Sequence, residues 1–216
     1  NMDHNNSYIN QIKLWCEQHL PDLKYQFPVP LLGEGGTCSL FGELANEPFD
    51  LTTVLNKEQL SLINECQSIT DWVQQHTDVD WFGIYLLIES DEIPTLTKLA
   101  YFGAPSRAQF PVTNEFAQIS NNSSVALTGQ KRLINDVETY LNSGGEYYTC
   151  DPKVKSELCY PIISYKNDNS GQQDKKILGI IDAESFSTQC FDANKTEIFD
   201  AICILLADTF NKPNNT

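Results

Sequence analysis

Cys150, Glu157, Asp182 and Glu184 are the residues of this chain whose types and spacing could do chemistry. Cys150 opens the string CDPKVKSELCY, which also holds Glu157 and Cys159, and Asp182 and Glu184 close the string ILGIIDAES. A thiol acts as nucleophile, and is oxidised, as the thiolate. Carboxyls brought close together raise one another's pKa, and a carboxyl still protonated near neutral pH is a general acid. Ionised, the same groups would hold a ligand cation. Apolar runs at 158–164 and 177–182 flank a hydrophilic loop, the pattern of two paired strands. Side chains alternate along a strand, so Asp182 and Glu184 share one face, and Glu157 and Cys159 share one face of the other strand. A thiol and clustered acids on one sheet face are costly to maintain unless something binds there. One objection is chemical: neighbouring carboxylates disfavour a thiolate, and Lys153 and Lys155 are the local cations that could offset them.

The rest of the chain must position these groups. Ile9, Ile12, Cys16 and Leu20 recur at helical spacing up to Pro21, predicting an amphipathic helix that docks on its own domain or on a second copy. Residues 21–55 hold prolines, glycines and scattered apolar positions and read as an irregular wrapping segment. Its string LLGEGGTCSLFGEL lacks the glycine–lysine signature of a phosphate loop, so Cys38 within it is a packed thiol by default. Asn56, with Gln59 three residues on, predicts a capped helix that carries Leu62, Ile63, Cys66, Ile69, Trp72 and Val73 on one face. DWFGIYLLIE is a central strand with Trp81, Gly83 and Tyr85 on one face and Phe82 and Ile84 on the other. A glycine inside a strand marks close approach by a ligand or another part of the protein. A second strand over 95–102 completes a hairpin, and KRLIND predicts a short strand. Asp192 caps a last helix that carries Ile198, Phe199, Ile202, Leu205, Leu206 and Phe210. The organisation is an extension over 1–55 followed by one domain over 56–212. The fold class is α+β, a single antiparallel sheet flanked by helices.

Composition narrows the partners. A net charge of −15, with no basic stripe, argues against nucleic acid and anionic membrane. No stretch has the length of a membrane span and no secretory leader is visible, so a cytoplasmic location is expected. The seven cysteines form no CxxC pair, and the three histidines have no metal-ligand spacing. Reduced thiols without a metal or cofactor are the reading.

The element order and the strings DWFGIYL, CDPKVKSEL, PII and ILGIIDAES, followed by Phe-Asp and a terminal helix, resemble the GAF domain fold over residues 56–210. More narrowly, they resemble the free methionine-(R)-sulfoxide reductases, GAF-fold enzymes that reduce the free amino acid. That resemblance implies Cys150 as catalytic cysteine, Glu157, Asp182 and Glu184 as catalytic and pocket acids, and Trp81 and Tyr85 as substrate-binding walls. It further implies an amino-acid-like small-molecule ligand and thioredoxin as reductant; a homodimer is expected where the N-terminal helix docks on a second copy. The chain departs from the family's pattern in two ways. The other redox cysteines fall near Arg107 and Asn122, and Glu184 stands where the second strand acid is usually Asp. The usual disulfide relay is therefore broken, and Cys159 is the nearby candidate for a resolving thiol. A non-catalytic GAF sensor is the alternative. A structural role also fits, in which Glu157 pairs with Lys131 or Arg132 and the strand acids meet backbone amides. An acidic pocket would repel the phosphate of a cyclic nucleotide.

Overall fold

The computed structural model describes residues 6–33, 42–147 and 151–212. Its centre is a six-stranded antiparallel sheet of β3 (Trp81–Ile88), β4 (Thr95–Phe102), β5 (Gln109–Pro111), β6 (Arg132–Ile134), β7 (Ser156–Asn167) and β8 (Gln173–Ser185), in spatial order β5-β4-β3-β8-β7-β6. The long β7–β8 hairpin is the pair predicted from its two apolar runs, and β8 reaches β3 at the sheet centre. Helices cover both faces: α3 (Ile63–His76) and α7 (Ala193–Asn211) lie on one, and α4 (Asn114–Ala117) and α5 (Asn121–Thr128) on the other. The short α6 (Val137–Asn142) follows β6.

Strand alternation divides the interior into two cores. Phe82, Ile84, Leu158, Ile162, Ile181 and Ala183 pack under α3 and α7, while Trp81, Tyr85, Cys159 and Ile180 face α5. This is the facing that period-two spacing requires. Two glycines make the second face possible. A Cβ at Gly83 would fall 2.4 Å from the Trp81 indole, so the close approach marked by this glycine is that of a tryptophan ring. A Cβ at Gly179 would fall 2.1 Å from the Tyr85 carbonyl oxygen, so only glycine lets β8 lie this close to β3.

The sheet carries one irregularity beside the site. Ile84 pairs with Ala100 and Tyr85 with Lys98, leaving Leu99 as an extra residue on β4. Such a bulge reverses the facing of everything beyond it. Tyr101 therefore faces the α5 side opposite Gly83, and so does Lys98 opposite Tyr85.

The N-terminal segment joins the main core. α1 (Ser7–Gln18) is capped by Asn6 and buries Ile12 against its own domain, beside α3 and α7. Trp15 Nε1 donates to the Ser68 carbonyl at 2.9 Å, and His19 meets Asp71 at 2.7 Å. Between α1 and α3 the chain forms a two-stranded ribbon of β1 (Gln26–Phe27) and β2 (Phe49–Asp50). The capping box at Asn56 and Gln59 forms, but its helix α2 (Lys57–Leu60) stops after one turn, and α3 starts afresh at Ile63. His76 Nδ1 meets the Trp72 carbonyl oxygen at 2.8 Å, the helix-end role its position suggests.

Candidate functional site

Strand register assembles the site. Glu157 on β7 lies directly across from Glu184 on β8, and Cys159 across from Asp182. On the other side of β8, Trp81 pairs with Glu184 and Gly83 with Asp182. One oxygen from each of Glu157, Asp182 and Glu184 lies within 4.8 Å of the other two, a spacing suited to an ammonium group or a small cation. Glu157 and Asp182 are buried, at 3% and 4% exposure, and Glu184 is half-buried.

Burial and mutual repulsion set the protonation of this cluster. Asp182 is pushed well above the usual carboxyl range by loss of water, then by the Glu157 and Glu184 charges, and a hydrogen bond from Asn122 opposes the rise. Glu184 is raised by loss of water, then by Glu157 and Asp151, with Lys98 pulling the other way. Asp182 and Glu184 therefore hold their protons more tightly than exposed carboxyls do. Asp182 Oδ1 is buried without a hydrogen-bond partner.

Side chains from α5 and its surroundings fix the geometry. Asn121 Nδ2 donates to Glu157 Oε1 at 2.8 Å, while its carbonyl oxygen accepts from Arg132 at 3.3 Å. Arg132 also reaches Ser124 and Tyr140, so it acts on Glu157 through Asn121 and not as the direct ion pair that sequence suggests as an alternative. Lys131 instead donates to Asp200 Oδ1 at 2.6 Å. The Tyr147 hydroxyl is buried beside all three acids, and burial with their charges strongly disfavours its ionisation.

Trp81 and Tyr85, expected as substrate walls, line the cleft over the acids together with Phe110, Phe186 and residues 104–107. The enclosed part of the cleft measures about 40 Å³. That holds a few water-sized groups, so the head of a ligand fits inside and its remainder would lie in the mouth. A larger open groove of about 950 Å³ runs between α1, α3 and α7, but its charged rim at Lys13, Glu17 and Asp208 is exposed to solvent and gathers no buried ionisable cluster.

The cysteines divide sharply. Cys150 lies outside the described residues, and its covalent neighbour Asp151 lines the cleft. Cys159 is fully buried and donates to Asn122 Oδ1 at 3.4 Å. Burial, then Asp182 and Glu157, push its thiol well above the normal range, so it holds its proton. Arg107 and Asn122 both line the cleft. The Arg107 guanidinium carbon lies 4.8 Å from the Phe116 ring centroid and 5.2 Å from that of Phe110.

The model of the GAF domain family matches residues 61–209, more than half of the chain. The chain belongs to the GAF domain family. Solved structures agree in fold at low identity. The type II free methionine-R-sulfoxide reductase from Thermoplasma acidophilum is 20% identical with a TM-score of 0.54, over 69% of this chain and 92% of that one. The free methionine-R-sulfoxide reductase from Neisseria meningitidis, solved in complex with its substrate, is 16% identical with a TM-score of 0.55, over 70% and 78%. The GAF domain of an Acinetobacter phosphoenolpyruvate-protein phosphotransferase is 14% identical with a TM-score of 0.51, over 69% and 81%. No curated protein matches the chain closely enough to count as a relative. No helix among the described residues is long and apolar enough to cross a membrane.

Proposed function

We propose that this GAF domain binds a small amino-acid-like molecule and reduces free methionine-(R)-sulfoxide through Cys150. The observation that carries the reading is the acid cluster. It combines three carboxyls brought within 4.8 Å of one another, two of them with raised pKa values, and a buried unpartnered oxygen of Asp182, under an aromatic wall of Trp81 and Tyr85. The ligand ammonium would enter the enclosed end, and the sulfoxide would lie against the aromatic wall near Asp151, next to Cys150 in the chain. The Cys150 thiolate attacks the sulfoxide sulfur, and oxygen passes from that sulfur to the thiol. Free methionine leaves and Cys150 becomes a sulfenic acid, so the sulfoxide is reduced by two electrons and the thiol oxidised by two. A proton from Asp182 or Glu184 neutralises the oxygen as the S–O bond breaks. An external thiol, such as thioredoxin or dithiothreitol, condenses with the sulfenic acid to release water and form a disulfide, and a second external thiol restores Cys150. Cys159, held protonated in the core, is poorly suited to that resolving step.

Steady-state consumption of free methionine-(R)-sulfoxide with dithiothreitol or thioredoxin tests the proposal. Turnover by the wild type that disappears in Cys150→Ser is expected. Folded wild-type protein that binds the compound without consuming it would instead support a ligand-binding GAF sensor. The chemistry of Arg107, Asn122 and Cys159 favours that second reading, because none of these three supplies a resolving thiolate at the cleft.

A further inference from the structure

We propose that Lys98 is a positioning residue of this site, the buried cation that balances the acid cluster and anchors the 104–107 wall of the cleft. Its side chain is 0% exposed in the middle of β4. Regular alternation from Tyr101 would aim it at α3. The extra residue Leu99 instead turns it to the acid-bearing face, opposite Tyr85.

Everything around the amine receives a cation. Nζ donates to the Ser106 carbonyl at 3.0 Å and to Ser106 Oγ at 2.7 Å. Three rings surround it, with centroids at 4.1 Å for Tyr101, 5.0 Å for Phe27 and 5.6 Å for Trp81. Ring faces attract an ammonium, and most strongly where water is excluded. Phe27 comes from the N-terminal ribbon, so the segment before the matched GAF residues completes the cage.

Two connections run from this amine to the cleft. The first is mechanical. Ser106 also bonds the Tyr85 hydroxyl, and Trp81 Nε1 donates to the Ala104 carbonyl at 2.9 Å, so Lys98, Ser106, Tyr85 and Trp81 hold one another. The second is electrostatic. Lys98 is pushed down to about 7 by burial, while Glu184 and then Asp182 on β8 favour its charged form. The other titratable groups against it are Tyr85 on β3 and Tyr101 on its own strand, both held neutral by burial. A charge at Lys98 reciprocally favours ionised Glu184. Lys98 thus sets how readily the cluster gives up its protons without touching a ligand.

The charge coupling stands without any assignment of ligand; its consequence for an ammonium-bearing substrate rests on the function proposed above. Carbon-13 NMR of the Asp182 and Glu184 carboxyls follows the cluster's titration in the full chain, in wild type, Lys98→Met and Lys98→Arg. Loss of the cation in Lys98→Met is expected to move the cluster's midpoint upward by roughly half to one pH unit, with return toward wild type in Lys98→Arg. Ser106→Ala keeps the lysine and weakens its anchoring, so a smaller displacement in the same direction is expected, and this variant decides if Lys98→Met does not fold. A midpoint unchanged in Lys98→Met, or moved equally in Lys98→Met and Lys98→Arg, would overturn the proposal. In that case the lysine serves packing alone. Consumption of free methionine-(R)-sulfoxide is measured on the same samples. A displaced midpoint without any turnover would sink the reductase reading and leave the role of Lys98 intact.

Discussion

Replacing Gly83 by alanine should displace the Trp81 wall, and the cost can be worked from contacts. The added Cβ would stand 2.4 Å from Trp81 Cη2, 2.9 Å from Cζ3 and 3.3 Å from Cζ2. Carbon atoms pack at about 3.5–4.0 Å, so the indole must withdraw by roughly 1 Å or more. Two restraints oppose that movement. Trp81 Nε1 is tied to the Ala104 carbonyl at 2.9 Å, and the chain at Gly103 approaches so closely that a Cβ there would lie 2.6 Å from the indole Cδ1. Gly83 has ordinary strand torsions, so alanine there carries no backbone penalty and the effect is one of contact. Overpacking of this kind costs about 1–3 kcal/mol, and losing the indole hydrogen bond adds about 1 kcal/mol. For a chain of this size that corresponds to a fall in Tm of roughly 4–16 °C. Thermal unfolding followed by near-ultraviolet circular dichroism reads both the stability and the tryptophan environment. A Gly83→Ala protein with wild-type Tm and an unchanged aromatic spectrum would refute this account of how the wall is built.

Asp182→Asn should stabilise the protein near neutral pH. The folded Asp182 binds its proton more tightly than the unfolded one, so its contribution is fully present below the unfolded pKa of about 4 and is lost as pH rises through the raised folded value. Asparagine abolishes that loss, so between pH 4 and the folded pKa its advantage grows by about 1.4 kcal/mol per pH unit. Lys98 gives the opposite slope only above about 7, so denaturant midpoints below that pH isolate the carboxyls. Ile12→Ala should cost about 2–5 kcal/mol because this helix residue is fully buried in the main core. A loss below about 0.5 kcal/mol in denaturant unfolding would mean that α1 is only loosely attached.

The strand faces of this site were legible because period-two spacing decides them. Asp182 with Glu184, Glu157 with Cys159, and Trp81 with Tyr85 all emerge on the expected side, and the last helix begins where its Asp192 cap stands, whereas the helix capped by Asn56 breaks after one turn. Lys98 was not legible. In TLTKLAYF it looks like a solvated residue of an ordinary strand, and only the bulge at Leu99 turns it to the site. Asn121 and Asn122 were hidden for another reason. They lie in the run 120–124, five polar residues all buried by tertiary packing, where no hydrophobic period announces burial. Arg132 acts on Glu157 through Asn121, a relation between three separate elements that spacing along the chain does not encode.

The most direct test of the central claim is a single turnover without reductant. Fully reduced protein is mixed with one equivalent of free methionine-(R)-sulfoxide, the methionine released is quantified, and the protein is treated with dimedone and mapped by mass spectrometry. Close to one methionine per chain and a dimedone adduct on Cys150 are expected. Folded protein that releases no methionine and carries no adduct at Cys150 would contradict it.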